Sequence, residues 1–447
     1  MRHNGNMNAK PFGIPAPFPL SNFFRAKADG ATLAVGHTNA ADFAILEASG
    51  PFELEITADG ADEALAKTAV KPLSLGVAAR VENGAVKIAF PGPLNVLVEI
   101  PGLPHLFVFA NPPMENPPDR ADAKTWHFAA GKVYDAGRIE LKSGETLFIE
   151  GGAIVRGFVV ANDAENARVC GGGILDGGLA GLPGFPDDAR RRMITFARCR
   201  DSLIEGILMT NPTAWMTVIG DSDRVRVRNI KQIGEVVCSD GIDVCGSRDI
   251  AIEGCFLTNN DDCIVVKALK LRDPDTDEEL DFAKDVRGVS ARSCALLNRG
   301  AGNAMEIGYE TRAESISSIS FEDIDVIYAH AHASIFSIHN GDRATISNIR
   351  YEDIRIEHYW CKLVDFRVMK SRYTKDAGRG HVRGIVFKRV RGVANIHNTP
   401  SLIGGCDEAH LVEDIVFEDF QLGGEKVLSA DALHLFTSRA DGIAFKP

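Results

Sequence analysis

Three aspartates near the middle of the chain are the residues best suited to chemistry. Asp240 lies in the segment Ser-Asp-Gly-Ile-Asp, and Asp261 and Asp262 lie side by side in Asn-Asn-Asp-Asp-Cys. The two groups are 21 and 22 residues apart, which is about the length of the repeat in the surrounding sequence. Residues one repeat apart in a stacked solenoid lie on neighbouring coils, about 4.7–4.9 Å apart when in register. We therefore expect the three carboxyl groups to share one patch.

Such a patch suits the hydrolysis of a glycosidic bond. Like charges raise one another's pKa, so one carboxyl group is expected to stay protonated beside ionised ones. Inverting hydrolysis needs one carboxylic acid for the leaving oxygen and one carboxylate for the attacking water, about 6.5–9.5 Å apart. Adjacent coils offer about half that spacing, so side-chain reach or a diagonal offset must supply the rest. Asp261 and Asp262 can both face a cleft only where the backbone departs from strand geometry.

The elements that must position these residues are short runs of alternating apolar residues closed by polar turns. Eight such runs recur, centred on Ile207, Ile230, Cys255, Cys294, Ile324, Ile354, Val390 and Phe420. The steps between them are 23, 25, 39, 30, 30, 36 and 30 residues; the shortest fit a coil of three strands and the longer ones carry insertions. Helical periodicity is scarce, and the linking segments are too short for crossover helices. We predict a right-handed parallel β-helix over residues 120–447.

The residues ahead of this solenoid follow a different pattern. From about residue 18 to residue 110, short β-like runs are each closed by Gly, Pro, Asn or Asp, which is typical of an antiparallel sandwich. The proline-rich segment 111–119 cannot lie inside a sheet and is predicted to be a linker. We therefore expect an N-terminal β-sandwich domain with its linker over residues 1–119, and an all-β fold overall. The charged insertion 270–285 is predicted to be a surface loop beside the active face.

Composition excludes several classes of function. A formal charge of −12 and a pI near 5.5 argue against nucleic acid or an anionic membrane surface as partner. No apolar run is long enough for a transmembrane helix, and the first residues lack the apolar core of a secretory signal, which predicts a cytoplasmic protein or a secreted one trimmed of its leader. Nine cysteines without CxxC spacing are expected to be reduced and mostly buried. We predict no metal and no cofactor, and the sequence leaves the oligomeric state open.

The motifs around the aspartates resemble those of polygalacturonases and their relatives, the dextranases and isopullulanases. These are inverting glycoside hydrolases built on a parallel β-helix. Ser239–Asp243 stands where polygalacturonases have their Asn-Thr-Asp motif. Asn260–Lys267 stands at the Asp-Asp motif and matches it as far as the following lysine, and Asn211–Trp215 resembles the Asn-Ser-Pro-x-Trp coil. The resemblance spans roughly residues 153–357.

The resemblance favours a catalytic role for the aspartate pair. An Asp-Asp after Asn-Asn in a lone turn is more often a solvated corner than a catalytic site. Asp240 one coil earlier, with Lys267 and Trp215 in the matching places, favours catalysis instead. Asp243 is predicted to cap a turn or to support the site.

Two other motifs of the resembling enzymes are altered here. Gly302–Gly308 stands at their Gly-His-Gly segment, with Asn303 in place of the histidine. Ser337–His339 is the nearest equivalent of their Arg-x-Lys pair, which in polygalacturonases grips the substrate carboxylate. The loss of that pair, together with a sandwich similar to that of the dextranase branch, favours a neutral sugar.

Polar and aromatic residues around the aspartates are candidates for substrate contact. We predict this role for Trp215, Lys267, Asn303, Glu306, Tyr309 and His339. Trp215 fits a sugar-stacking platform or a core position equally well, and Lys267 fits a hydroxyl donor or the counter-charge of the patch. Glu306 and Tyr309 fit either a subsite or ordinary surface positions. For His339 the alternative is a structural hydrogen-bond ladder.

The predicted function is an inverting glycoside hydrolase that acts on an α-linked, neutral oligo- or polysaccharide. The resemblance implies that Asp261 is the general acid and that Asp240 and Asp262 share the attacking water as general base. Three alternatives stay open: a hydrolase of galacturonides, a polysaccharide lyase and a non-catalytic carbohydrate-binding β-helix. A lyase needs a basic proton abstractor, and Lys267 is the only basic residue of the central motif.

Overall fold

A computed structural model describes residues 8–59, 62–330, 332, 334–394, 397 and 399–447. The helices in this part of the chain are three short ones: Asp62–Leu65, Leu73–Leu75 and Asp431–Leu433. All other regular structure is β, in two small sheets near the N-terminus and one sheet of 29 strands. The predicted all-β parallel β-helix with an N-terminal sandwich is confirmed.

Two mostly antiparallel sheets form the sandwich. The first has the strands Ala9–Pro11, Val35–His37, Asp42–Ala48, Ala69–Lys71, Asn95–Glu99 and Leu106–Asn111. The second has the strands Phe24–Ala28, Ala31–Leu33, Phe52–Ala58, Ala79–Glu82 and Ala85–Phe90. Phe52–Ala58 shows why these segments form a sandwich: every second side chain, from Phe52 onwards, is buried, as the period of two of a β-strand requires. The sandwich strands end at Asn111 and the long sheet begins at Thr125, on either side of the predicted linker.

The long sheet winds into coils with three faces. The first face has Thr125–Phe128, Thr146–Ile149, Arg168–Gly171, Leu203–Glu205, Arg226–Arg228, Arg248–Glu253 and Ala440–Lys446. The second has Ile174–Asp176, Leu208–Thr210, Lys231–Ile233 and Phe256–Asn259. The third has Ile194–Ala197, Thr217–Gly220, Ile242–Cys245, Ile264–Arg272, Met305–Thr311, Ser334–Asn340, Lys362–Val368, Ser401–Gly404 and Leu435–Ser438.

Longer strands turn a corner and serve two faces. Val133–Leu141 and Ile154–Asn162 run from the second face to the third. Five strands run from the first face to the second: Val286–Asn298, Ser315–Ala329, Thr345–Ile356, His381–Gly392 and Val412–Leu422. Two short strands pair antiparallel outside the coils: Glu279–Phe282 and Glu425–Lys426.

The register of the coils follows the repeat read from the sequence. Cys294 pairs with Ile324, Ile324 with Ile354, Ile354 with Val390 and Val390 with Phe420. All five side chains are buried in the single apolar core that fills the solenoid. The apolar residue in each run therefore fixed the register, because a slip by one residue would turn that side chain outwards.

The sandwich packs against the second face of the solenoid. Phe43, Phe107 and Phe109 from the first sandwich sheet lie in one buried cluster with side chains of the second face, among them Leu208 and Phe256. Phe256 packs edge-on against Phe107 and Phe109, with ring centroids 5.6 and 5.7 Å apart. At the corner between the second and third faces, Arg299 also donates to the Ala40 carbonyl oxygen of the sandwich at 2.9 Å.

The charged insertion forms a hairpin. Leu269–Arg272 pairs antiparallel with Glu279–Phe282, and Phe282 is buried against residues of the third face. The hairpin therefore folds back over the coils that precede it. No helix among the described residues is long and apolar enough to cross a membrane. All nine cysteines are free thiols, and six of them are buried.

Candidate active site

The corner between the second and third faces brings the three aspartates together. Asp240 precedes the third-face strand Ile242–Cys245, and Asp261 and Asp262 precede the next one, Ile264–Arg272. The Asp262 carbonyl oxygen accepts a hydrogen bond from the Gly241 amide at 2.8 Å, which ties the two corners. A carboxylate oxygen from each aspartate lies within 4.8 Å of the other two. The spacing of 21 and 22 residues thus predicts the juxtaposition correctly.

Both adjacent aspartates reach the patch because the backbone bends before the strand begins. The Asp261 carboxylate accepts the amide of Asp262 at 3.0 Å and that of Cys238 at 3.2 Å. Gly302 of the next coil lies against this bend with a φ of 68°, and a Cβ there would come within 2.2 Å of the Asp262 nitrogen. Only glycine fits such a close approach in that backbone conformation.

Lys267 supplies positive charge to the floor of the patch. Its ammonium lies 2.8 Å from Asp240 Oδ2 and 3.0 Å from Asp243 Oδ1, and 4.1 Å from the centroid of the Trp215 ring. Burial alone would lower the pKa of Lys267, but the charges of Asp240 and Asp243 outweigh it and raise that pKa well above its usual range. Lys267 is only 4% exposed, so it acts as the counter-charge of the patch rather than as a donor at its surface. Asp243 supports the site, as expected.

The carboxyl groups do not all carry a negative charge. Burial first, and then the charge of Asp240, raise the pKa of Asp261 to about 6. The pKa of Asp262 is raised well above its usual range by burial and then by Glu306 and Asp240. The patch therefore holds protons near neutral pH, with the carboxylate of Asp240 paired to the Lys267 ammonium. A carboxyl group of raised pKa at Asp261, beside the Asp240 carboxyl group paired with Lys267, is the combination that acid and base catalysis needs.

Asn303 links Asp262 to the next coil. Its amide nitrogen and its Nδ2 donate to Asp262 Oδ1 at 2.7 and 3.2 Å, and Nδ2 also donates to Glu306 Oε2 at 2.9 Å. The Asn303 Oδ1 accepts the amide of Ser334 at 2.9 Å. Asn303 is buried, and its side chain bonds to other protein groups. It bonds to Asp262 Oδ1 and not to Asp262 Oδ2. The contact of Asn303 with substrate stays a prediction.

Glu306 and His339 continue the same network below the surface. His339 Nδ1 lies 3.0 Å from Glu306 Oε2, and its Nε2 lies 3.4 Å from Asp365 Oδ2. Burial opposes the charging of this imidazole, but Glu306 and Asp365 outweigh it and raise the pKa of His339 to about 9. Glu306 is 0% and His339 2% exposed. These contacts are those of the buried hydrogen-bond ladder that was the alternative for His339, and the substrate contacts of Glu306 and His339 stay predictions.

Two aromatic residues reach towards the cleft on either side of the aspartates. The Tyr309 ring stacks on that of His339 at 4.2 Å and is half-buried. Trp215 is half-buried and lines a small cavity with Cys238, whose amide binds Asp261. These two remain placed for contact with a sugar. Burial raises the pKa of the Tyr309 hydroxyl above its usual range, so it stays a neutral hydrogen-bonding group.

The three aspartates are also the group of described residues whose oxygens lie close enough to hold a metal ion. Lys267 Nζ already lies 2.8 Å from Asp240 Oδ2 and places a positive charge on the carboxylate such an ion would use. The arrangement fits proton transfer with a lysine as counter-ion.

The geometry defines a parallel β-helix with a carboxyl cluster at the corner that leads into its third face. Residues 149–435 match the family model described as Glycosyl hydrolases family 28. This match covers more than half of the chain, so the chain belongs to that family. The predicted resemblance and the class of glycoside hydrolase are confirmed.

Individual relatives are distant. A polygalacturonase from Juniperus ashei is 26% identical over 141 residues, which are 31% of this chain and 24% of that protein. The chain thus spans about a quarter of the length of that relative. Dex49A from Penicillium minioluteum covers 100% of this chain, with 97% of its own length, a TM-score of 0.71 and 14% identity. The family 28 exopolygalacturonase of Yersinia enterocolitica covers 97%, with 98% of its own length, a TM-score of 0.54 and 11% identity. At these identities the structural matches show the shared fold.

The pH dependence of turnover should report the proton on Asp261. We expect kcat/KM to fall as the pH rises through about 6, because an acid whose pKa is raised to about 6 loses the proton it must donate. A profile of kcat/KM against pH for the wild type measures this fall. The Asp201→Asn variant, which changes an exposed carboxylate paired with Arg224, should leave this fall unmoved. A rate that stays level from pH 5 to pH 8 would contradict the assignment.

Proposed function

We propose that the protein is an inverting glycoside hydrolase that cleaves α-glycosidic bonds of an oligo- or polysaccharide. The convergence of Asp240, Asp261 and Asp262, with one oxygen of each within 4.8 Å of the others, carries the proposal of acid and base catalysis. These oxygens lie closer than the about 6.5–9.5 Å expected between the carboxyl groups of an inverting pair, so the inversion rests on the resemblance alone. Membership of family 28 supports the reaction class, and resemblance to inverting enzymes supports the stereochemistry.

Each carboxyl group has one role in the proposed reaction. Asp261 gives its proton to the glycosidic oxygen as the bond from that oxygen to the anomeric carbon breaks. A water held by Asp240 and Asp262 attacks the anomeric carbon from the opposite side and gives one proton to the Asp240 carboxylate of that pair, from which it later passes to solvent. The products are two sugars with free hydroxyl groups, and the configuration at the attacked carbon is inverted. Exchange with solvent then returns a proton to Asp261.

We further propose that the sugar facing His339 is neutral. In polygalacturonases the equivalent strand carries the basic pair that grips a carboxylate. Here the strand Ser334–Asn340 is buried along its length, and His339 is already paired with Glu306 and Asp365. A carboxylate placed there would meet Glu306 and Asp365, and the nearby Arg367 is already paired with Asp365 at 2.6 Å, which disfavours a uronate at this position.

A substrate panel tests the proposal. Reducing-end release would be measured with dextran, pullulan, polygalacturonate and short α-linked oligosaccharides, using the wild type, Asp261→Asn and the control Asp201→Asn. We expect the wild type and Asp201→Asn to release sugar from the same substrate and Asp261→Asn to be inactive. An unsaturated product that absorbs in the ultraviolet and disappears with chelator would indicate a lyase instead. Absence of release from every substrate would favour the carbohydrate-binding alternative.

A further inference from the structure

A small cavity lies beside the carboxyl cluster on its N-terminal side. It has a volume of about 270 Å³ and is lined by Arg190, Arg192, Arg272, Ala214, Trp215, Cys238 and Pro274. Cys238 connects it to the reaction centre, because its amide donates to Asp261 Oδ2 at 3.2 Å. A volume at the lower end of ligand pockets suits one substituted sugar residue rather than an extended chain.

The arginines come from two segments that meet at this point. Arg190 and Arg192 lie in the long connection between the strands Ile174–Asp176 and Ile194–Ala197, at the same corner of the solenoid as Asp240 but two coils earlier. Arg272 lies where the hairpin turns back. Arg191, between the first two, forms an ion pair with Asp275 of the hairpin at 2.5 Å. The two segments are therefore held together as one wall of the cavity.

Two of these guanidinium groups have no acidic partner. Arg190 donates to the carbonyl oxygen of Thr213 at 3.0 Å, and Arg192 donates to that of Arg272 at 3.1 Å. Within the described part of the chain, neither has a carboxylate within ion-pair distance. Arg192 also lies 5.6 Å from the centroid of the Trp215 ring. Burial lowers the pKa of the Arg192 guanidinium, which is the cost of a charge that leaves water without a full counter-charge.

Arg192 is half-buried and forms no ion pair with a described carboxylate, so an anion from outside the chain would supply the missing counter-charge. Guanidinium groups bind carboxylate and sulfate-like oxygens through two parallel hydrogen bonds, and the Trp215 ring offers a face for the sugar that carries them. We propose that this cavity is a subsite for a sugar bearing an anionic group, either a uronate carboxylate or a sulfate ester, next to the bond that is cleaved. The inference rests on the proposed function and assigns a mixed substrate: charged on the Trp215 side and neutral on the His339 side.

Binding of monosaccharides tests the subsite without turnover. D-glucuronate, D-glucose 6-sulfate and D-glucose would be titrated at fixed ionic strength, with the fluorescence of Trp215 as the signal. The background for all variants is Trp126→Phe with Trp360→Phe, which removes the two other tryptophans, both exposed. We expect at least one of the two anionic sugars to bind tenfold or more tighter than glucose. The tighter of the two identifies the anionic group.

Variants of the arginines decide the assignment. Arg190→Gln, at an exposed position, and Arg192→Gln should each remove most of the preference for the anionic sugar. Arg200→Gln, an exposed arginine of an outer turn paired with Glu165, should retain it. Equal binding of glucose and both anionic sugars, or a preference that survives both Arg190→Gln and Arg192→Gln, would overturn the inference. A protein that hydrolyses neutral glycans but shows no such preference would keep the proposed function and lose only the subsite.

Discussion

Replacement of Asp261 by asparagine is expected to lower kcat by about 10²–10⁴-fold, which is the usual contribution of a positioned general acid. Asparagine keeps the size of the side chain and one oxygen, which can accept one of the two amides that Cys238 and Asp262 now donate to separate oxygens. It has no proton of suitable pKa to give to the leaving oxygen. The fold should survive, so the far-ultraviolet circular dichroism and the thermal midpoint should match those of the wild type.

The leaving group offers an independent check on this variant. A nitrophenyl glycoside needs little protonation to depart, so Asp261→Asn should lose much less activity on it than on the natural linkage. A purely structural role for Asp261 would reduce both activities alike. Near-normal turnover of the natural linkage by a folded Asp261→Asn protein would remove Asp261 as the acid.

Replacement of Lys267 by methionine should affect both stability and activity. The change leaves the buried carboxyl groups of Asp240 and Asp243 without the ammonium that now lies 2.8 and 3.0 Å away. Removal of one partner from a buried ion pair costs about 3–5 kcal/mol of stability. The activation of water by Asp240 should weaken as well, because the ammonium that fixes its carboxyl group is gone. Urea unfolding and kcat on the best substrate measure the two effects.

The matched control for Lys267→Met is Lys270→Met on the same strand. Lys270 pairs with Glu279 at 2.7 Å, but both side chains are about a third to a half exposed. Such surface pairs contribute about 0–1 kcal/mol, so this variant should be nearly as stable and as active as the wild type. If Lys267→Met unfolded at the same urea concentration as Lys270→Met, the charge balance described for the patch would be wrong.

The sequence predicted the solenoid and its register because a parallel β-helix repeats one simple rule. Each run places an apolar residue inwards at a fixed point of the coil, and the rows from Cys294 to Phe420 pair as read from the spacing. The same repeat spacing places Asp240 at the corner next to Asp261 and Asp262. Positions that depend on the repeat are therefore accessible from sequence alone.

Exposure of the outward-facing side chains could not be predicted in the same way. Glu306, His339 and Asp365 do point out of the apolar core, since they alternate with core residues along their strands. They are nevertheless buried, because their charges pair across neighbouring coils and fill the floor of the cleft. The alternation of a strand gives the face of a side chain but not what covers it.

The arginine cavity escaped the sequence analysis for a related reason. Arg190 and Arg192 lie in an insertion whose path is set by contacts with a distant hairpin, through the pair of Arg191 and Asp275. Repeat spacing carries no information about such an insertion. The run of three consecutive arginines in an acidic chain was the one available signal, because a cluster of like charges requires either solvent or a partner.

The anomeric configuration of the first sugar released tests the proposed chemistry most directly. Proton NMR within the first minutes of turnover, on the substrate that the panel identifies, distinguishes the two anomers before they interconvert. Attack of water opposite the bond that Asp261 protonates, with Asp240 and Asp262 as base, predicts that the β-anomer appears first from an α-linked substrate. Initial release of the α-anomer would show that a carboxylate attacks the sugar itself, and would contradict the roles assigned to all three aspartates.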